Sequence, residues 1–211
     1  MYVIMERKLS FKLNKIINFT EIKSNESIQE LIEFNPLLRK LFDNIENYFK
    51  EEYGRKLDFN PIKSKQIFHS NYSMHDIAFD YIVDLIYQSN SIPISLGKDL
   101  RDKKVQMENE IPDLLVLKEK TVFSLDVKAK SSIDWFGKIN KRAVVGYRRF
   151  RDNVSFDEFQ IPIYAQFVLL NNNTPTGTIG YSNISEAHLS DNCEWDKNIT
   201  YKFNWKKGSS F

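Results

Sequence analysis

Two apolar segments joined by three charged residues run from residue 111 to residue 130 and read IPDLLVLKEKTVFSLDVKAK. In the second segment apolar and polar residues alternate: Phe123, Leu125, Val127 and Ala129 against Ser124, Asp126, Lys128 and Lys130. A period of two predicts a β-strand with two unlike faces. The short polar connection favours a hairpin between the segments. We therefore expect one face of the second strand in the core and the polar face directed outward.

Three residues of this hairpin carry a pattern suited to phosphodiester hydrolysis. Asp113 opens the first strand, so pairing brings it toward the face of Asp126 and Lys128. Mg²⁺ in proteins takes one or two carboxylates and keeps several waters. The bound ion lowers the pKa of a water, and a lysine orients that water or stabilises charge in the transition state. The pattern predicts Asp113 and Asp126 as ligands of Mg²⁺ or Mn²⁺ and Lys128 as the catalytic lysine; the alternative is a surface ion pair of little energetic consequence.

Pro112-Asp113 followed by Asp126-Val-Lys128 resembles the PD-(D/E)xK nuclease superfamily, which includes restriction enzymes and archaeal Holliday-junction resolvases. The resemblance covers residues 73–170, and the whole chain is similar to nucleases of fuselloviruses, the spindle-shaped viruses of archaea. It implies an α/β fold with a restriction-endonuclease-like core: helix, three strands, helix, strand, with helices flanking a mixed central sheet. It also implies DNA as substrate, with branched DNA suggested by the resolvases, and a homodimer.

Members of this superfamily often add an acidic residue from the first core helix. Here apolar residues at helical spacing predict that helix from Ser73 to about Gln88. We favour Asp80 as the additional catalytic carboxylate, because apolar residues flank it. Asp76 follows Ser73 by three residues, so helix capping is its expected role, with the additional catalytic carboxylate as the alternative. His75 is a further candidate for metal or phosphate binding, with a helix-surface histidine as the plainer interpretation.

Positive charge is concentrated between residues 128 and 151, where eight basic residues against one acid give +7. Aromatic residues are interleaved with these charges. Such a segment beside a carboxylate site is typical of a protein that binds the phosphate backbone of DNA; a solvated helix face is the alternative. The expected DNA contacts are Lys130, Lys138, Lys141, Arg142, Arg148, Arg149 and Arg151.

The remaining patterns give the organisation of the 211 residues. We expect a helical N-terminal extension over 1–65, a nuclease core over 66–175 and a C-terminal extension of short strands over 176–211, all in one globular unit. Helix-start patterns occur at Ser27, with Glu30 three residues later, and at Asn35-Pro36, and Gly54 ends the second pattern. Further predicted elements are strands at 92–96, 104–107, 161–170 and 199–205, a helix at 135–151 and a loop at 171–177.

Composition excludes several classes of protein. The single Cys193 cannot form an internal disulfide, and no apolar run reaches the roughly 20 residues of a membrane span. We therefore expect an intracellular protein (in the host cytoplasm if viral) with no membrane partner and no organic cofactor. Two other functions fit the same residues: a sequence-specific restriction-type nuclease, and a non-catalytic DNA-binding protein that kept the nuclease fold.

Overall fold

The computed structural model describes residues 32–33, 35–54, 74–96, 111–118, 121–157, 159–184, 192–195 and 198–211. In this part of the chain the helices longer than one turn are α1 (Pro36–Tyr53), α2 (Met74–Gln88) and α3 (Lys141–Val154), and a short 3₁₀ helix spans Ile133–Trp135. The strands are β1 (Ile92–Ser95), β2 (Leu114–Lys118), β3 (Thr121–Lys130), β4 (Lys138–Asn140), β5 (Ile163–Asn171), β6 (Thr174–Asn183), β7 (Asn192–Trp195), β8 (Asn198–Lys202) and β9 (Lys206–Lys207).

The strands form two sheets. The larger has the order β1-β2-β3-β5-β6-β9, and the smaller has the order β4-β8-β7. In the larger sheet β3 and β5 run parallel, whereas the other neighbours are antiparallel. The parallel pair needs a crossover, which the segment with β4 and α3 provides. The expected α/β class with a mixed central sheet is confirmed.

The predicted β2–β3 hairpin is present, with Leu114 opposite Leu125 and Lys118 opposite Thr121. Helix α2 packs on the face that carries Leu125, and α1 and α3 pack on the opposite face. The expectation that this opposite face is outward is wrong for Asp126, which is 0% exposed. Sequence alternation identifies the two faces of a strand, but it does not reveal that a helix covers the polar one.

Helix α1 begins and ends at the predicted residues. The Asn35 side chain accepts hydrogen bonds from the backbone N–H groups of Leu37 and Leu38, and Pro36 occupies the first helical position. Gly54 closes the helix in the left-handed conformation, where glycine is favoured. All these signals are local, so the sequence was sufficient to predict the bounds.

The helix expected at 135–151 begins later, at Lys141. Gly137 has φ of +72° and Asn140 accepts a hydrogen bond from the N–H of Arg142 as an N-cap, so the chain between them forms β4 instead. The prediction of a loop over 171–177 is also wrong from residue 174 onward, because β6 begins there. Asn172 and Asn173 both have positive φ, which permits a two-residue turn.

The two expected extensions join the elements of the core. Buried residues of α1 belong to the same cluster as those of α3 and β5. Strand β6 runs through residue 175, where we expected the core to end. The patterns at Ser27, Ser73 and 104–107 lie outside the described residues. In the part described, no helix is both long and apolar enough to cross a membrane.

Candidate active site

Asp113 lies at a bend immediately before β2, with its side chain 1% exposed. Its Oδ2 accepts a hydrogen bond of 2.7 Å from the backbone N–H of Val127. The N–H of Ser124 donates to Pro162 on the β5 side of β3. Backbone direction alternates along a strand, so the Val127 N–H points to the β2 side, just beyond the last residue pair of the hairpin. The carboxylate therefore takes the place of the next β2 acceptor and is fixed beside Asp126.

Asp126 and Lys128 lie two residues apart on the same face of β3. The Lys128 ammonium is 2.8 Å from Oδ2 of Asp126, which is fully buried, while the lysine side chain is 23% exposed. Lys128 also donates a hydrogen bond of 3.1 Å to the hydroxyl of Tyr147 on α3. The covered face thus contains a buried anion and begins to open to solvent at the lysine.

The first core helix contributes His75 to this site. Its Nε2 lies 3.4 Å from Oδ2 of Asp113, and its Nδ1 lies 3.7 Å from Oδ1 of Asp76. Burial lowers the pKa of His75, but the hydrogen bond and charge of Asp113, together with the charge of Asp126, outweigh it, so the pKa is raised. The charges of both carboxylates of the predicted site therefore raise the pKa of the imidazole.

Asp80, the favoured additional carboxylate, is half-buried further along α2. It follows His75 by five residues, so the two side chains project about 140° apart around the helix. Asp76 is buried next to His75, about 100° around the helix from it. His75 is directed toward Asp113, so the helix contributes a histidine next to one of the predicted metal ligands.

A metal ion finds suitable donors in the two buried aspartates. Magnesium requires hard oxygen ligands and takes only one or two carboxylates, with water completing its shell. Asp113 and Asp126 meet this requirement and are positioned by the hairpin. Within the ranges described, no three His, Cys, Asp or Glu side chains gather at metal-binding spacing. Two carboxylates are as many as a Mg²⁺ ion that keeps most of its waters takes from a protein.

The basic residues of the +7 segment occupy different environments. Lys130 is half-buried and donates a hydrogen bond of 2.8 Å to the carbonyl oxygen of Lys138. Burial, and then the charge of Lys128, lower the pKa of Lys130 to about 8. Lys138 stacks over the ring of Trp135 at 4.4 Å. Both lysines lie near the predicted site, since Lys130 follows Lys128 by two residues on β3 and bonds to Lys138.

On α3 part of the positive charge is paired with acids. Arg149 forms an ion pair with Glu52 of α1, and Arg151 lies 2.9 Å from Asp152. Lys141 is exposed, while Arg142 and Arg148 are half-buried. The effective charge of this helix is therefore lower than a count over 128–151 suggests.

Two residues of the site, His75 and Tyr147, have no fixed role in the sequence pattern. The sequence suggested His75 for metal or phosphate binding, with a helix-surface histidine as the alternative. It identified Tyr147 only as one of the aromatic residues interleaved with the basic ones. Tyr147 is fully buried, as are Phe136 and Phe150. Its proximity to Lys128 depends on how α3 is rotated against the sheet. No pattern in a single sequence fixes that rotation.

Comparison with known proteins finds no matching family model, no matching curated protein and no matching solved structure. At the site itself, Asp113, Asp126 and Lys128 converge on the buried end of the hairpin.

Proposed function

We propose that this chain is a metal-dependent DNA endonuclease of the PD-(D/E)xK type. Asp113 and Asp126 are the metal ligands and Lys128 is the catalytic lysine. One observation carries the proposal: the hairpin fixes the Asp113 carboxylate to the backbone beside Asp126, whose own carboxylate contacts Lys128. A buried pair of carboxylates with an adjacent ammonium is costly to maintain, and such costs are typical of functional sites.

The order of elements supports the restriction-endonuclease-like part of the proposal. Helix α2 is followed by the antiparallel strands β1, β2 and β3, then by the crossover with α3 and by β5 parallel to β3. This is the order of helix, three strands, helix and strand that the resemblance implies. A fold alone does not specify a function. The proposed activity therefore depends on the three site residues.

Each residue has a distinct task in the proposed reaction. When bound, Mg²⁺ or Mn²⁺ supplies positive charge that polarises the scissile phosphate and acidifies a water. Asp113 and Asp126 hold that charge at the end of the hairpin. Lys128 donates hydrogen bonds to the attacking water or to a phosphate oxygen as negative charge develops. Asp80 remains a proposed additional carboxylate, and the geometry adds His75 as a competitor for that role.

The basic residues provide the proposed DNA path. Lys130 and Lys138 lie next to the site, and Lys141, Arg142 and Arg148 continue along α3. Phosphate contacts of this type bind DNA without reading its sequence. We further propose branched DNA as the substrate and a homodimer as the active form, since cutting two strands calls for two sites.

A second function is favoured by one feature of the same site. The Lys128 ammonium offsets the charge of the buried Asp126 carboxylate without a metal ion. A non-catalytic DNA-binding protein would keep this pair and would bind no metal there. Calorimetric titration with Mn²⁺ separates the two functions, because the nuclease requires binding that Asp126→Asn weakens and the binding protein requires none.

The experiment that tests the nuclease proposal is a cleavage assay on linear, nicked, flapped and four-way DNA. Mg²⁺, Mn²⁺ and EDTA are compared for each substrate. We expect cleavage with either metal and none in EDTA. The four-way substrate should be cut fastest if the likeness to resolvases extends to substrate, and uniform absence of cleavage would contradict the proposal.

A further inference from the structure

The ammonium of Lys128 has partners on two different elements. Asp126, on the same strand, is 2.8 Å away, and the Tyr147 hydroxyl, on α3, is 3.1 Å away. The ammonium also lies 5.7 Å from the centre of the tyrosine ring. Helix α3 and strand β3 together fix the position of a long, flexible side chain.

Tyr147 cannot act on DNA directly. The residue is 0% exposed, and its ring belongs to the core cluster shared by α1, α3 and the central sheet. A buried ring of this size is held in one rotamer by its neighbours. An effect of its hydroxyl on the reaction therefore acts through a group that it contacts, and Lys128 is such a group at the proposed site.

The two partners of Lys128 differ in how they respond to a metal ion. Asp126 is a proposed metal ligand, so a bound cation competes with the ammonium for the same carboxylate. The Tyr147 hydroxyl lies on α3 and is not a proposed metal ligand, so a bound cation would not compete with Lys128 for it.

We infer that Tyr147 is a positioning residue that holds the Lys128 ammonium in its reactive place. The inference rests on the proposed nuclease function and adds a residue that the sequence motif does not include. Small displacements of a reacting group lower rates by about 100-fold. Removal of the hydroxyl should therefore slow the chemical step while leaving DNA binding unchanged.

The variant that tests this inference is Tyr147→Phe, which keeps the ring and removes the hydroxyl. Tyr48→Phe is a matched control, because Tyr48 is also buried and packs on Phe150 of α3 without contacting Lys128 in any described interaction. We expect Tyr147→Phe to lower the single-turnover cleavage rate by about 10- to 100-fold, with DNA affinity within about twofold of wild type. Tyr48→Phe should cleave at close to the wild-type rate.

A spectroscopic readout separates positioning from a general loss of structure. In ¹⁵N spectra of lysine ammonium groups, the Lys128 signal is identified by its absence in Lys128→Ala. We expect Tyr147→Phe to shift or broaden this signal and Tyr48→Phe to leave it in place, with thermal melting confirming that both variants fold.

The outcomes distinguish the inference from the function on which it rests. If wild-type protein cleaves no DNA, both are overturned. If wild type cleaves and Lys128→Ala does not, but Tyr147→Phe cleaves at the wild-type rate, the inference alone is overturned. The same holds if Tyr147→Phe and Tyr48→Phe slow cleavage equally, or if the ammonium signal does not respond.

Discussion

At the scale of single residues, the site consists of charges placed where water reaches them poorly. Asp126 is fully buried and Lys128 is mostly so. Removing an ion from water costs several kcal/mol, which a nearby opposite charge repays only in part. An apolar pair would pack in the same space without this cost. We therefore propose that these charges serve the chemistry of the site and not its stability.

Lys130 allows the energetic cost of a buried charge to be tested by changing the pH. Its pKa is about 8 in the folded protein, against 10.5 for an ordinary lysine, chiefly because of burial. Below pH 8 both folded and unfolded chains hold the proton, so the full cost of the buried charge is present. Between pH 8 and 10.5 the unfolded chain binds more protons, so stability rises with pH.

We therefore predict that Lys130→Met increases the free energy of unfolding at pH 7 by about 1 to 3 kcal/mol. Part of this increase is offset because the variant cannot form the hydrogen bond to Lys138. Denaturant unfolding of wild type and variant at pH 7 and again at about pH 10 measures it, and the difference should shrink at the higher pH. A difference that is the same at both pH values would show that Lys130 does not titrate as described.

His75 offers a second test at this scale, directed at the metal ligands. Mg²⁺ is a hard cation that takes oxygen ligands, so an imidazole nitrogen is a poorer ligand for it than for Mn²⁺, and Nε2 of His75 lies 3.4 Å from the Asp113 carboxylate. We predict that His75→Ala weakens Mn²⁺ binding more than Mg²⁺ binding and more than Asp80→Ala does, as measured by calorimetry. A larger effect of Asp80→Ala would instead assign the additional ligand to the aspartate that the sequence favoured.

At the scale of helices and strands, the sequence predicted the features that depend on neighbouring residues. It did not predict those that depend on tertiary contacts. The β2–β3 hairpin was predicted from the alternation of apolar and polar residues. The bounds of α1 were predicted from its capping residue and its terminal glycine. Each of these signals lies within a few residues of the feature that it predicts. Helix α3 starts at its N-cap Asn140, and the turn at Gly137 before it also involves a distant contact, because a Cβ there would lie 2.3 Å from the carbonyl oxygen of Phe203. That contact joins residues 66 positions apart (203 minus 137), so no local window of sequence contains it.

The residues of the site also divide into those that the local sequence predicted and those that depend on tertiary packing. Asp113, Asp126 and Lys128 were predicted because all three lie within one hairpin, and the structure places them at its end. His75 and Tyr147 come from helices on opposite faces of the sheet. Their contacts require the packing of α2 and α3, which a single sequence does not specify.

Helix α3 leads to a prediction about DNA binding that is independent of catalysis. Removing one cation that binds a phosphate should flatten the slope of log affinity against log salt by about 0.9 on duplex DNA. We predict a decrease of up to about 2 for the double variant Lys141→Ala with Arg148→Ala. Arg149→Ala should have a smaller effect, because Glu52 already engages that guanidinium.

This measurement uses the inactive Asp113→Asn background in Ca²⁺, so that cleavage does not interfere. Lys40→Ala is a suitable control, since Lys40 is exposed and pairs with Asp157 away from the +7 segment. An unchanged slope for the double variant would place the DNA path elsewhere. An equal effect of Arg149→Ala would show that its ion pair opens on binding.

At the scale of the whole molecule, distant parts of the chain converge on one sheet. Gln166 of β5 is fully buried and donates to the carbonyl oxygens of Gly180 and Gly208, while its own oxygen accepts from the N–H of Ser210. Helix α1 is joined to α3 through the Glu52–Arg149 pair. The segments outside the motif therefore brace the strands and helices that position the site.

The most direct measurement of the central claim compares metal-dependent DNA cleavage by wild type, Asp126→Asn and Asp157→Asn. Asp157 is the matched control, because the same change is made there to an exposed carboxylate that pairs with Lys40. We predict cleavage in Mg²⁺ or Mn²⁺ by wild type and Asp157→Asn, and a decrease of at least about 100-fold in Asp126→Asn with its fold retained. Cleavage by Asp126→Asn at the wild-type rate, with unchanged dependence on metal, would contradict it.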